Sequence, residues 1–120
     1  MNQVGGIPTI DVNEAAAHRN GPGDPIVVDV REPDEFATVR LEGVALLPMS
    51  TFAERHGELP KDRPLLIMCH MGGRSAAAAG FLLRSGWTDV VNVAGGIDAW
   101  ERAGLPVKRG APAPGEGDLP

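Results

Sequence analysis

Residues 65–76 read Leu65-Leu66-Ile67-Met68-Cys69-His70-Met71-Gly72-Gly73-Arg74-Ser75-Ala76. Four apolar residues without alternating polarity fit a strand buried on both faces. Two glycines allow a tight turn, and the alanine-rich run after them predicts a helix from Arg74 to Ser85 with Gly86 as its stop. A buried strand turning directly into a helix is the unit from which parallel α/β sheets are built. In such a sheet the residue just after a strand stands at the carboxyl edge, where ligand sites gather. Here that residue is the chain's only cysteine.

The same alternation continues outward. Val27 to Val30, Val44 to Leu47 and Val90 to Val93 are further short apolar runs bounded by Gly, Pro or charge, and Ile7 to Ile10 is a weaker fifth. Asp11 and Glu14 make a capping box ahead of Ala15, and Pro33 suits the first turn of a helix over Pro33–Thr38. Ser50 could cap a helix running to about Glu58, and Ile97–Arg102 forms the last helix before Gly104. The expectation is one domain over residues 1–108, a parallel sheet with helices on both faces. Residues 109–120, rich in Pro and Gly and without apolar periodicity, are expected to form a flexible C-terminal tail. Trp87 and Trp100 are expected to pack, Gly95-Gly96 to serve a strand-to-helix turn, and His18 and His56 to lie on surfaces.

With 120 residues and 42% hydrophobic content, the chain can build one core. Eleven basic against sixteen acidic residues give a net charge of −5, which argues against nucleic acid or an anionic membrane as partner. No apolar stretch approaches the ~18 residues of a membrane span, and residues 1–10 lack the basic start and apolar centre of a signal peptide. A cytoplasmic address is therefore expected. One cysteine forms no internal disulfide and no multi-cysteine metal site, and His18, His56 and His70 are scattered. No metal or other cofactor is implied, so Cys69 is expected to work as a thiol.

The turn gives that thiol its chemistry. The first N–H groups of a helix have no internal partners, and the amides of His70, Met71, Gly72, Gly73, Arg74 and Ser75 would converge on the sulfur. Together with the helix dipole they favour thiolate over thiol. Cysteines in such settings have pKa values of about 3.5 to 7.5 rather than about 8.5. The same cradle would hold a further anionic sulfur attached to Cys69. The competing reading is a buried cysteine acting as a small hydrophobe.

Val28-Asp29-Val30-Arg31-Glu32-Pro33 followed by Glu35-Phe36, then Cys69 to Ser75, then Gly95-Gly96-Ile97-Asp98-Ala99-Trp100, resembles in this order the small single-domain members of the rhodanese-like sulfurtransferases. The likeness extends over about residues 7–107. It implies a five-stranded parallel sheet flanked by helices. It also implies a cycle in which Cys69 takes a sulfane sulfur from a small anionic donor such as thiosulfate, becomes a persulfide, and passes the sulfur to cyanide or a thiol. By the same resemblance His70, Met71, Gly72, Gly73, Arg74 and Ser75 form the binding loop. Relay to a protein acceptor, or a non-enzymatic binding or regulatory module, are the alternatives. Where the family commonly has histidine in a Gly-His-Ile-Pro-Gly-Ala stretch, this chain has Arg40. Four residues separate Cys69 from Arg74, whereas phosphatases of related architecture resemble Cys-x5-Arg, so the shorter loop favours a pocket of sulfur size.

The supporting residues leave alternatives open. Asp29 and Arg31 should reach the same carboxyl edge, either as an ion pair that braces the loop or as groups that meet the donor. Arg74 could bond the loop carbonyls or Glu32, or attract the anionic donor. His70 could add positive potential when protonated or stand solvated. Ser75 could cap the helix or lend its amide to the cradle, and secondarily donate its hydroxyl to the sulfur.

Overall fold

The computed structural model describes residues 2–4 and 6–120; Met1 and Gly5, counted in the expected domain, lie outside the described residues. The strands are β1 (Asn2–Val4), β2 (Ile7–Ile10), β3 (Ile26–Asp29), β4 (Val39–Arg40), β5 (Ala45–Leu46), β6 (Leu65–Met68), β7 (Val90–Val93) and β8 (Lys108–Arg109). The helices are α1 (Val12–His18), α2 (Pro33–Thr38), α3 (Met49–Arg55), α4 (Gly73–Arg84) and α5 (Gly96–Arg102), and a 3-10 turn spans His56–Glu58. Five strands run parallel in the order β2-β7-β6-β3-β5, with β1 added antiparallel beside β2. The two-residue strands β4 and β8 pair separately. The expected five-stranded parallel sheet is present, and β1 extends it by one strand.

β6 is central because it can be. Each of Leu65, Leu66, Ile67 and Met68 is at most 1% exposed, which suits an all-apolar segment. Truncating any one of them to alanine would cost about 2–5 kcal/mol. The pleat sends alternate side chains to opposite faces. Leu65, Ile67 and Cys69 join Val28, Val30 and Val90 on the face covered by α3 and α4, where Ala78, Ala79 and Leu82 are buried. Leu66 and Met68 join Val91 and Val93 on the other face, under Val12 and Ala15 of α1, Phe36 of α2, and Ile97 and Trp100 of α5. Cys69 therefore faces the helix that follows it.

The local signals hold where caps carry them. Asp11 and Glu14 close the capping box of α1, and Pro33 opens α2. Ser50 does not cap α3, which begins at Met49 behind Pro48. Instead its hydroxyl and amide donate to Glu32 Oε1 and Oε2 at 2.6 and 3.1 Å. His56 is half-buried, its ring centroid 4.8 Å from that of Phe81 and 5.5 Å from that of Trp87, so the expected surface histidine is part of an aromatic cluster.

The C-terminal segment also needs correcting. Residues 109–120 are expected to form a flexible tail, yet Arg109 belongs to β8, Arg40 is ion-paired with Glu116, and Leu46 N–H donates to Gly117 O at 2.7 Å. Arg40 is only 2% exposed and also donates to Gly110 O at 2.6 Å. The physical reason is that a buried guanidinium demands acceptors. Glu116 and a backbone carbonyl supply them without any apolar periodicity in the segment.

Candidate active site

Cys69 follows the last residue of β6 and is 1% exposed. The chain then turns through His70 and Met71, both exposed, to Gly72, which caps α4 with φ +109°. That left-handed backbone favours glycine, and a Cβ there would lie 3.2 Å from Gly95 N. Gly73 carries no such demand: a Cβ would meet nothing within 4 Å. The tight turn expected of both glycines is thus made by Gly72 alone, while Gly73 leaves space beside the loop.

The turn folds the start of α4 back over the sulfur. Gly72 N–H donates to Cys69 Sγ at 3.0 Å, and Ser75 Oγ lies 3.3 Å from it. Burial pushes the Cys69 thiol up, but hydrogen bonds from the Ser75 hydroxyl and from the amides of Ser75, Gly72 and Met71 outweigh it and bring it below the ordinary thiol value. Ser75 is fully buried in the first turn of α4, and its Oγ lies 2.6 Å from Asn92 Oδ1 of β7, a second acceptor for its one proton.

The neighbouring helix secures the outer side of the loop. Ile97 N–H and Asp98 N–H donate to Cys69 O and His70 O at 2.9 and 3.0 Å. This approach depends on Gly96, where a Cβ would lie 2.2 Å from Cys69 O and 2.6 Å from His70 O.

Arg74 reaches Glu35 rather than Glu32. Nη1 and Nη2 donate to its two carboxylate oxygens at 2.6 and 2.8 Å, a bidentate pair joining α4 to α2. Those hydrogen bonds hold the Glu35 carboxyl at about 2 and push the Arg74 guanidinium up. Glu32, at the start of α2, is turned to Ser50. Asp29 and Arg31 form a buried ion pair, with Arg31 Nη2 donating to Asp29 Oδ2 at 2.7 Å. Arg31 also donates to Glu35 O and Val39 O at 3.2 and 2.7 Å, so it ties the end of β3 to the middle of α2 and to the residue that follows it. Breaking such a buried pair on one side costs about 3–5 kcal/mol. His70 lines a shallow cleft of about 240 Å³ with Arg31, Asp34, Glu35, Thr38 and Val39.

The structure thus brings Cys69, Gly72 and Ser75 together and sets Arg74 in an ion pair beside them. Met71 is 66% exposed and points away from packing. Sequence reasoning gave Asn92 no role beyond its strand and Gly96 none beyond its turn. Asn92 is the polar residue in an otherwise apolar strand, a visible signal; the close approach at Gly96 has none beyond the glycine pair. Among the described residues no cluster of His, Cys, Asp or Glu is grouped as metal ligands are, and no helix is long and apolar enough to cross a membrane.

Comparison with known proteins bears out the fold. The model of the rhodanese-like domain family matches residues 11–103. A sulfurtransferase of Allochromatium vinosum is 42% identical over 84 residues, covering 70% of this chain and 78% of that protein. The thiosulfate sulfurtransferase GlpE of Vibrio cholerae is 33% identical over 99 residues, covering 82% and 92%. Among solved structures, a rhodanese-related protein of Thermoplasma volcanium superposes with a TM-score of 0.78 at 32% identity, covering 84% of this chain and 97% of that one.

Proposed function

This chain belongs to the rhodanese-like domain family, and from that premise we propose that it is a sulfurtransferase working through a Cys69 persulfide. The observation that carries the reading is the sulfur itself, buried at the end of β6 with the Gly72 amide at 3.0 Å and the Ser75 hydroxyl at 3.3 Å. Donors arranged around a sulfur stabilise its anion before any substrate arrives.

In the proposed cycle the Cys69 thiolate attacks the sulfane sulfur of a donor such as thiosulfate. A new S–S bond forms, the sulfur–sulfur bond of the donor breaks, and sulfite leaves with the electron pair. The product is a persulfide anion held by the loop amides. Cyanide, or a thiol, then attacks the outer sulfur and returns the Cys69 thiolate. His70, Met71, Gly72, Gly73, Arg74 and Ser75 form the rim and cradle. Arg74, bound to Glu35, acts on the loop by holding α4 against α2, and Asp29–Arg31 braces the floor. The cytoplasm, with its reduced thiols, suits a single reactive cysteine.

Incubation with thiosulfate should add about 32 Da, one sulfur, to the intact chain, and cyanide should remove it. Cys69→Ser should abolish both this gain and thiosulfate:cyanide transfer while leaving the melting temperature within a few degrees, since a hydroxyl keeps the size but carries no persulfide. A wild-type chain that takes up no sulfur would leave the fold as a binding module.

A further inference from the structure

Asn92 breaks the pattern of its strand. In Val90-Val91-Asn92-Val93 alternation sets it on the same face as Val90, opposite Ile67 and under α4, and it is 2% exposed. A satisfied amide there adds little stability over an aliphatic side chain of the same volume, because the small net gain of its hydrogen bond is set against the cost of burying a polar group. Its carboxamide oxygen meets Ser75 Oγ at 2.6 Å, and Ser75 Oγ meets the Cys69 sulfur at 3.3 Å.

The hydroxyl of Ser75 has one proton, and three atoms stand ready to receive it. They are Asn92 Oδ1, the Cys69 sulfur, and Gly72 O at 3.2 Å. A serine in the first turn of a helix settles readily on a backbone carbonyl of the preceding turn. What directs the proton to the sulfur is then the group behind the hydroxyl. A carboxamide can present either an acceptor or a donor in the same space.

We propose that Asn92 is a positioning residue that sets the direction of the Ser75 hydroxyl toward Cys69. With Cys69 as a thiol, the S–H faces Ser75 Oγ and the hydroxyl donates to Asn92 Oδ1. With Cys69 as thiolate or persulfide anion, the carboxamide turns, Nδ2–H donates to Ser75 Oγ, and the hydroxyl donates to the sulfur. Ser75 keeps its one proton and Asn92 its two; the thiol proton leaves to solvent. The relay rests on the reading of Cys69 as an anionic nucleophile. The charged and titratable groups on the surrounding elements are Asp29–Arg31 at the end of β3, Glu35–Arg74 between α2 and α4, His70 in the loop and Asp98 at the start of α5.

The test is Asn92→Leu, of similar volume and suited to an apolar face, alongside Ser75→Ala and the double variant. Each is read by the pH dependence of Cys69 alkylation with iodoacetamide, and by thermal melting. Asn92→Leu should melt no lower than wild type yet react about tenfold more slowly on the acid side of the titration, one unit in the midpoint. Ser75→Ala should lose about as much, and the double variant no more than either. Should the leucine variant fail to fold, Asn92→Ala is read in the same way. An unchanged midpoint in the folded Asn92 variant, or losses that multiply to about a hundredfold in the double variant, would overturn the relay. Failure of the underlying reading shows elsewhere, in a wild-type chain that takes up no sulfur from thiosulfate.

Discussion

Two glycine pairs follow adjacent strands at the same edge of the sheet: Gly72-Gly73 enters α4 after β6, and Gly95-Gly96 enters α5 after β7. In each pair the first glycine caps its helix in a left-handed conformation, with φ +109° at Gly72 and +75° at Gly95. The helix starts are used in opposite ways. That of α4 turns amides and the Ser75 hydroxyl toward a side chain, the Cys69 sulfur. That of α5 gives Ile97 N–H and Asp98 N–H to the main-chain carbonyls of Cys69 and His70. One set of orphan donors is open to chemistry because the next set is committed to holding its loop. A glycine turn before a helix is therefore not a site in itself. What distinguishes the two is the residue after the strand, Cys69 in one case and Ala94 in the other.

Breaking the scaffolding turn should have the largest effect. Gly96→Ala would drive a methyl into the carbonyls of Cys69 and His70, at a backbone of φ +55° that alanine also resists. It is expected to cost about 3 kcal/mol in urea unfolding and to abolish sulfur transfer, since the loop loses both clamps. Retained activity would mean that α5 does not hold the loop.

A smaller effect is expected from Glu35→Gln, which leaves both turns intact and loosens only the tie between α4 and α2. The Glu35 carboxyl is held at about 2 against an ordinary 4.5. A lowered folded value means that the stabilisation is present above pH 4.5 and disappears as pH falls toward 2. Both partners are about one-third exposed, so solvent screening reduces the gain to about 1 kcal/mol or less. Urea titrations of wild type and variant should differ by that amount near neutrality and converge in acid. A difference that is undiminished at pH 2 would assign the stabilisation to something other than this pair.

Gly73→Ala should do least. It lies in open space with an ordinary helical backbone, so unfolding stability should stay level or rise by up to about 1 kcal/mol. A loss comparable to that of Gly96→Ala would erase the distinction between the turns.

The sequence made some of this readable and concealed the rest for physical reasons. Leu65 to Met68 could only be a strand buried on both faces, and a cysteine immediately after it had to reach the carboxyl edge. Pro33 and the Asp11–Glu14 box mark helix starts through local bonds, which sequence spacing reports directly. Arg74 found Glu35 instead of Glu32 because only the first of these lies within the helical turn facing α4, a matter of tertiary docking. Asn92 was absorbed into an apolar run because periodicity averages over a single polar residue. Arg40 and Glu116 stand 76 residues apart, and no local pattern couples them.

The bond from Leu46 N–H to Gly117 O covers an edge that a parallel sheet otherwise leaves open. β5 is the last strand of the parallel sheet, and its outer side would otherwise offer unpaired backbone groups to any extended segment nearby. Gly117 can lie flat there because it has no side chain; a Cβ would fall 3.1 Å from the Phe36 ring. The segment from Glu116 onward thus occupies the place a neighbouring molecule's strand would take. Its removal would bare those groups, so the Pro- and Gly-rich end of the chain covers part of this sheet edge.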